Sequence, residues 1–152
     1  MSLRSLDVDQ DGDPDIVLTD RYEKDRGVFW LENPGQSDPA QLRNPWKRHL
    51  VGGAGRHVMF LTVGDINGDA LEDIAVATLE GDLLLYHRQK TPGKVVWGES
   101  IIPLPFGLTA GKGISIDDIN LDGRADLITT SEAQREKDDM VSVAWLEQAA
   151  NG

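Results

Sequence analysis

Three short segments of the sequence place acidic or amide side chains at alternate positions, in the pattern D-x-[DN]-x-D-x-x-x-D. We call them the first loop (residues 7–15), the second loop (65–73) and the third loop (118–126). A hard cation such as Ca²⁺ takes about six to eight oxygen ligands at about 2.3–2.6 Å. Carboxylates that lie close together repel one another when no cation is bound. The pattern therefore predicts a cation site in each loop.

Other loops of similar composition fit the sequence less well. An EF-hand requires Glu at position 12 and helices on both sides, but position 12 is Leu18, Val76 or Thr129, each inside an apolar run. A dockerin also needs helices after its loop. The remaining alternative is a set of Asp-rich turns without metal, because Asp and Asn are favoured turn residues. One such loop is a moderate signal, and three at regular spacing are a strong one.

The spacing of the loops predicts a repeated architecture. Position 1 recurs after 58 residues and again after 53 residues, a period typical of propeller blades and other arrays. A short apolar run follows each loop, and a second run follows that, ending in Trp-Leu-Glu at residues 30–32 and 145–147. Trp-led segments begin at Trp46 and Trp97. Runs of this length between Gly, Pro, Asn and Asp are typical of strands, so each full unit predicts four short strands.

The strand runs predict how the units pack. They are apolar at nearly every residue rather than at alternate residues, which is typical of strands covered on both faces. We predict an all-β fold: a partial β-propeller of about two and a half four-stranded antiparallel blades. The predicted units are a half blade (1–45), a blade (46–96) and a blade (97–152), with no strand entering the first loop. We expect a fragment of a larger propeller, with open apolar blade faces that favour self-association.

Composition limits the classes of partner. The net charge is −11, and eleven aspartates lie in the three loops, so the acidity is local ligand charge. This charge argues against nucleic acid as a partner, because phosphate binding needs basic patches. The absence of Cys excludes disulfides and thiolate metal sites. The sequence contains no signal peptide and no run long enough to span a membrane.

On these loops, runs and spacing, the chain resembles the FG-GAP/VCBS repeat family, whose calcium-binding blades also form the integrin alpha-subunit head. The resemblance covers essentially the whole chain. It implies a propeller of about seven blades when complete, Ca²⁺ as cofactor, and an extracellular, periplasmic or cell-surface location. The implied side-chain ligands are Asp7, Asp9, Asp11 and Asp15; Asp65, Asn67, Asp69 and Asp73; and Asp118, Asn120, Asp122 and Asp126.

The resemblance also implies roles for positions 6 and 7 of each loop. Position 7 (Asp13, Leu71 or Arg124) would supply a backbone carbonyl. Position 6 is normally Gly, and the second loop departs from this with Ala70. If that position needs a positive φ, Ala costs about 1 kcal/mol. We therefore expect the second loop to bind Ca²⁺ more weakly than the first and third loops.

Three classes of function are compatible with the sequence. The first is an interaction module, a calcium-rigidified scaffold that binds a protein or carbohydrate partner. The second is a fragment of a propeller-type carbohydrate lyase or dehydratase, with His57 as acid or base and Arg56 as anion ligand. The third is a structural spacer. No spacing links the three histidines into a zinc site, and no nucleophile motif is present. A cluster of aromatic, His and Arg groups at one end of the blades would favour the first two classes.

Overall fold

The computed structural model of the protein describes residues 1–22, 24–35, 40–105, 108–132 and 142–150. Strands make up 52% of these residues, and one turn of 3₁₀ helix occurs at Gln41–Arg43. The strands are β1 Leu3–Leu6, β2 Asp15–Asp20, β3 Gly27–Glu32, β4 Lys47–Gly52, β5 Val58–Gly64, β6 Asp73–Thr78, β7 Asp82–Gln89, β8 Val96–Pro103, β9 Ala110–Asp117, β10 Asp126–Glu132 and β11 Val143–Leu146. The described residues contain no helix with the length and apolar character of a membrane span.

The strands form three antiparallel sheets, in which each strand pairs with its neighbours in sequence. The first sheet contains β1 to β4, the second contains β5 to β8, and the third contains β9 to β11. The sheets do not close on one another. The predicted all-β class and open, partial-propeller arrangement of antiparallel sheets are therefore confirmed.

The sheets begin and end at different places from the predicted units. The Trp-led segments were placed at the start of units, but they form the last strands of the sheets: Lys47 lies opposite Glu32, and Trp97 lies opposite Arg88. The prediction that no strand enters the first loop was wrong, because β1 pairs with β2 up to Leu6. The physical reason is that a sequence period gives the length of a unit and not its starting point, which strand pairing sets.

The second sheet lies between the other two and is buried on both faces. All six residues of β6 are buried. Ile74 and Val76 pack with apolar residues of the first sheet, such as Trp30, whereas Ala75 packs with Leu127 of the third sheet. Side chains alternate between the faces of a strand, so a strand covered on both sides is apolar at consecutive positions, as from Ile74 to Ala77. The continuous apolar runs are explained by this packing, as predicted.

All three acidic loops lie on one side of the molecule, at the same end of the strands in each sheet. Each loop connects the first and second strands of its sheet, and the connections between second and third strands lie at the opposite edge. We call these two ends of the strands the acidic edge and the hairpin edge. The repeat thus places the three candidate cation sites side by side.

Candidate metal centres

A buried carboxylate at loop position 9 anchors each loop to its sheet. Both oxygens of this carboxylate accept backbone N–H groups, one from loop position 2 and one from the end of the third strand of the sheet. The position-9 residues Asp15, Asp73 and Asp126 are almost fully buried. Their donors are Val8 and Asn33, Ile66 and Arg88, and Ile119 and Gln148, at 2.7–3.2 Å. This carboxylate therefore has a structural role in all three loops, in addition to any ligand role.

The side-chain oxygens at positions 1, 3 and 5 accept the same set of backbone hydrogen bonds in all three loops. Position 1 accepts the N–H of position 6, position 3 accepts that of position 5, and position 5 accepts that of position 7. In the first loop these donors are Gly12, Asp11 and Asp13, at 3.1, 3.3 and 2.9 Å. The same three bonds recur in the second and third loops. Local Asx bonds of this kind hold a turn whether or not a metal is bound.

Two positions of every loop adopt a left-handed backbone. At position 6 the φ angles are +97° at Gly12, +65° at Ala70 and +85° at Gly123, so the predicted strain at Ala70 is present. Position 4 has the same conformation, with Gly68 in the second loop but Gln10 (+63°) and Leu121 (+60°) in the others. This second position was not predicted, because Gln10 and Leu121 are not residues that favour a positive φ. Each loop therefore has one glycine and one strained residue, and the second loop is not unusual in this respect.

The first loop brings three carboxylates together. One oxygen each from Asp7, Asp9 and Asp15 lies within 4.8 Å of the other two, the one such acidic group among the described residues. A second observation concerns the same residues: Asp7 Oδ1 is buried and has no hydrogen-bond partner in the described part of the chain. Desolvation is the largest cause that raises the pKa of both Asp9 and Asp15, and neighbouring carboxylates add to it. Asp11 and Asp13 lie outside this group.

An arginine within the third loop offsets part of the loop's negative charge. The Arg124 guanidinium forms an ion pair with Asp122 at position 5. The Asn120 amide donates to Asp122 Oδ2 and to Glu147, both at 2.9 Å. The pKa of Asp126 is lowered, chiefly by the hydrogen bond from the Gln148 N–H. Arg124 was predicted to supply only a backbone carbonyl, and the ion pair of its side chain with Asp122 was not predicted.

Basic side chains also border the second loop. The Lys90 ammonium donates to the Asp69 carbonyl at 2.6 Å, and His87 Nδ1 lies 3.3 Å from Asp73 Oδ2. The acids of this loop, Asp65, Asp69 and Asp73, are not among those that converge within 4.8 Å in the described residues. By contrast, no acid of the first loop forms an ion pair with a described basic side chain.

Two equivalent residues connect the loops in series. Arg88 donates its N–H to the second loop, and its guanidinium donates to the Asp7 carbonyl of the first loop at 3.1 Å. Gln148 donates its N–H to the third loop, and its side-chain amide donates to the Ile66 carbonyl of the second loop at 3.2 Å. The first and second loops are therefore each held by the sheet that follows in sequence.

The hairpin edge carries the other residues that the sequence singled out. His57 Nε2 lies 2.6 Å from Arg26 Nη1, and His57 Nδ1 lies 3.0 Å from Glu80 Oε1. Arg56 forms an ion pair with Asp82. His57 and Arg56 were singled out from the sequence, but Arg26 was not, since its contact with His57 spans 31 residues.

Comparison with known protein families gave one result. A family model described as an FG-GAP-like repeat matches residues 7–76 and 65–129, which together span more than half of the chain. Both matches begin at position 1 of an acidic loop and end in the strand that follows the next loop. The curated proteins and the solved structures compared with the chain gave no match.

Proposed function

Because the chain belongs to the FG-GAP-like repeat family, we propose that it is a calcium-binding β-propeller scaffold that acts as an interaction module for a protein or glycan. The observation that carries the calcium part is the meeting of Asp7, Asp9 and Asp15 around a space bordered by the buried, unpartnered Asp7 Oδ1. Three carboxylates this close are costly unless a cation neutralises them.

The donor set of the first loop suits a hard cation. Asp7, Asp9, Asp11 and Asp15 would supply carboxylate oxygens, and Asp13 would supply its carbonyl. All are oxygen donors, which Ca²⁺ prefers, and the chain has no Cys to favour a softer metal. Bound Ca²⁺ supplies positive charge that the first loop does not obtain from any described ion pair.

A cation in the first loop would stiffen more than the loop itself. Asp15 is bonded to Asn33 at the end of β3, and the Asp7 carbonyl is bonded to Arg88 of the second sheet. The cation would therefore join β1, β2 and β3 and strengthen the contact between two sheets. This is the role expected of a scaffold ion, which holds loops in place without taking part in a reaction.

The hairpin edge supports the interaction part of the proposal. Arg26, Arg56 and His57 lie there together with exposed Tyr22, whose hydroxyl accepts from Arg21. Guanidinium groups bind carboxylates with two parallel hydrogen bonds, and an acidic ligand would compete with Asp82 for Arg56. We therefore propose a ligand with acidic groups, on a protein or a glycan. An extracellular, periplasmic or cell-surface location belongs to the same proposal and rests on the family resemblance.

The hypothesis of an enzyme fragment receives less support from this edge. Both ring nitrogens of His57 already have hydrogen-bond partners, Arg26 and Glu80. A general base needs a free nitrogen within reach of the proton that it removes. The contacts of His57 therefore favour a structural role, in which it links the β2–β3 connection to the β6–β7 connection, over a role as acid or base.

Thermal unfolding with Ca²⁺ and with chelator tests the calcium part. A ligand that binds only the native state at a hundredfold excess over Kd adds about 2.7 kcal/mol to the free energy of unfolding. We expect Ca²⁺ to raise the Tm of the wild type and to have little effect on Asp9→Asn. Asp25→Asn is the control, because it removes the same charge from an exposed site outside the loops. Equal melting curves with Ca²⁺ and chelator would refute the proposal.

Binding to a panel of neutral and acidic oligosaccharides tests the interaction part separately. We expect acidic members to bind in Ca²⁺, and Arg56→Gln to weaken that binding without changing the Ca²⁺-dependent Tm shift. Binding that is independent of Arg56 would contradict the assignment to the hairpin edge.

A further inference from the structure

One arginine at the acidic edge is buried without a carboxylate partner among the described residues. Arg88, near the end of β7, is 7% exposed, and it takes part in none of the ion pairs in the described part of the chain. A buried charge lowers the free energy of unfolding unless hydrogen bonds or nearby charges compensate for its lost hydration. The contacts of this guanidinium group therefore show what compensates it.

The two ends of Arg88 hold two different loops. Its backbone N–H donates to Asp73 Oδ1 at 2.8 Å, and Asp73 anchors the second loop. Its guanidinium Nη1 donates to the Asp7 carbonyl at 3.1 Å, and Asp7 begins the first loop. The Oδ1 atom of Asp7 has no hydrogen-bond partner among the described residues. Arg88 thus holds the main chain of Asp7 and leaves this carboxylate oxygen for a cation.

Arg88 occupies a position of the repeat that reaches the loop of the preceding sheet. Asn33, Arg88 and Gln148 are equivalent, because each donates its backbone N–H to position 9 of its own loop. The Asn33 side chain stays within its own loop, at the Pro14 carbonyl. The side chains of Arg88 and Gln148 each reach a carbonyl of the preceding loop, and of these two only Arg88 is charged. The first loop therefore receives a positive charge as well as a hydrogen bond from the second sheet.

We propose that Arg88 is a positioning residue that couples the first loop to the second, so that a cation bound in the first loop stabilises the second loop. The proposal rests on the calcium site proposed above for the first loop. A cation on the Asp7 carboxylate restricts the main chain of Asp7, whose carbonyl holds the guanidinium of Arg88. The N–H of Arg88 in turn holds Asp73, so the second loop loses freedom when the first loop is occupied. Coupling between two sites is reciprocal, so order in the second loop also favours a cation in the first.

Arg88 and a cation in the first loop are compatible although both are positive. The first loop contains five aspartates, which outnumber the three positive charges of Arg88 and a divalent cation. Arg88 contacts the main chain of Asp7, whereas the converging oxygens belong to the side chains of Asp7, Asp9 and Asp15. Both positive groups are therefore attracted to the loop, and the cation need not displace the guanidinium.

Hydrogen exchange followed by NMR, with Ca²⁺ and with chelator, tests this coupling. The N–H groups of Ile66 and Arg88 report on the second loop, because both donate to Asp73. We expect Ca²⁺ to slow their exchange at least about fivefold in the wild type, at the lower end of usual coupling. Arg88→Met keeps the N–H and an apolar side chain but loses the guanidinium, and it should lose most of this effect. Asp9→Asn, which removes a carboxylate from the first loop, should lose it as well.

Lys90→Met is the matched control for the loss of charge. The Lys90 ammonium donates to the Asp69 carbonyl of the second loop, and it has no described hydrogen bond or ion pair with the first loop. This variant should keep the wild-type response to Ca²⁺. The N–H of Leu79 donates to the His57 carbonyl at the hairpin edge. It is the internal reference, and its exchange should respond to Ca²⁺ equally in the wild type and in Arg88→Met.

Four results would overturn the proposal. The first is equal Ca²⁺-dependent slowing in Arg88→Met and in the wild type. The second is slowing that persists in Asp9→Asn, because it shows direct binding in the second loop. The third is an equal loss of slowing in Lys90→Met. The fourth is a change at the Leu79 N–H that matches the change at the Ile66 N–H, because it shows a loss of global stability.

The Ca²⁺-dependent Tm separates this proposal from the calcium site on which it rests. A rise in Tm without slower exchange in the second loop would refute the coupling alone, whereas no rise in Tm would refute both. If Arg88→Met fails to fold, Arg88→Gln carries the same test, because its shorter side chain stops short of the Asp7 carbonyl.

Discussion

The first and third acidic loops have the same backbone conformation, but they differ in how their negative charge is balanced. Both anchor position 9 with two N–H groups, and both adopt positive φ at positions 4 and 6. In the first loop Asp7, Asp9 and Asp15 converge, and Asp7 Oδ1 has no described partner. In the third loop Arg124 supplies a positive charge to Asp122. The repeat thus preserves the shape of the loop while the charged groups around it vary.

The position-9 carboxylates show the same contrast. Asp15 and Asp126 accept equivalent hydrogen bonds, yet the pKa of Asp15 is raised and that of Asp126 is lowered. Desolvation is the main cause at Asp15, with added repulsion from Asp9 and Asp11, whereas the N–H of Gln148 is the main cause at Asp126. The balance between desolvation and hydrogen bonding therefore differs between the two loops: desolvation prevails at Asp15, and hydrogen bonds prevail at Asp126.

The largest expected effect separates the two loops by their calcium dependence. We expect Asp7→Asn to remove most of the Ca²⁺-induced gain in stability, about 2.7 kcal/mol at a hundredfold excess over Kd, and Asp118→Asn to remove much less. Taking the difference between Ca²⁺ and chelator for each variant cancels the hydrogen bonds that both substitutions disturb. Equal losses in the two variants would show that Arg124 does not substitute for a cation.

Removing the internal counter-charge should make the third loop resemble the first. Arg124→Gln breaks a partly exposed ion pair, so in chelator we expect a loss of up to about 1 kcal/mol in the free energy of unfolding. In Ca²⁺ the loss should shrink, because the cation replaces the guanidinium. Lys112→Gln, which breaks an exposed pair with Glu132 outside the loops, is the control. A Ca²⁺ response of Arg124→Gln no larger than that of the wild type would count against the comparison.

The pH dependence of the two anchoring carboxylates should have opposite signs in chelator. The raised pKa of Asp15 means that the native state holds this proton more tightly than the unfolded chain. Its contribution to stability therefore falls as pH rises from the unfolded pKa through the native pKa. The lowered pKa of Asp126 contributes stability above the unfolded pKa, and that contribution is lost as pH falls through the native pKa.

Carboxyl titration by NMR would measure these two pKa values directly. We expect Asp15 to titrate above its ordinary range and Asp126 below it. Added Ca²⁺ should lower the pKa of Asp15, because a bound cation favours the ionised carboxylate. The reverse order of the two pKa values in chelator would contradict the contrast between the loops.

The smallest expected effect concerns backbone strain, which all three loops share. Ala70→Gly and Leu121→Gly should each stabilise the protein by a few tenths to about 1 kcal/mol, because relief of the left-handed strain is partly offset by the entropy of Gly in the unfolded chain. Leu121 is 86% exposed, so little packing is lost. Chemical denaturation would measure both changes. A clear gain for Ala70→Gly alone would restore the prediction that the second loop is the weak one.

The sequence by itself determined the repeat. The acids at alternate positions, the period and the continuous apolar runs identified the FG-GAP-like family, the all-β class and the segments that form the loops. These features are local, since a turn and the strand after it are specified by residues close in sequence. The calcium ligands, the partner and the location stay predictions.

The tertiary structure decided what the period could not. Strand pairing set where each sheet begins, and contacts over long separations brought Arg88 to the Asp7 carbonyl and Arg26 to His57. The group of three carboxylates in the first loop, by contrast, follows from the sequence, because position 3 is Asp9 there but Asn67 and Asn120 in the other two loops. The burial of Trp30 and the exposure of Trp145 also come from tertiary structure. Trp30 packs with the second sheet and stacks on His49 of β4, whereas the third sheet has no fourth strand among the described residues.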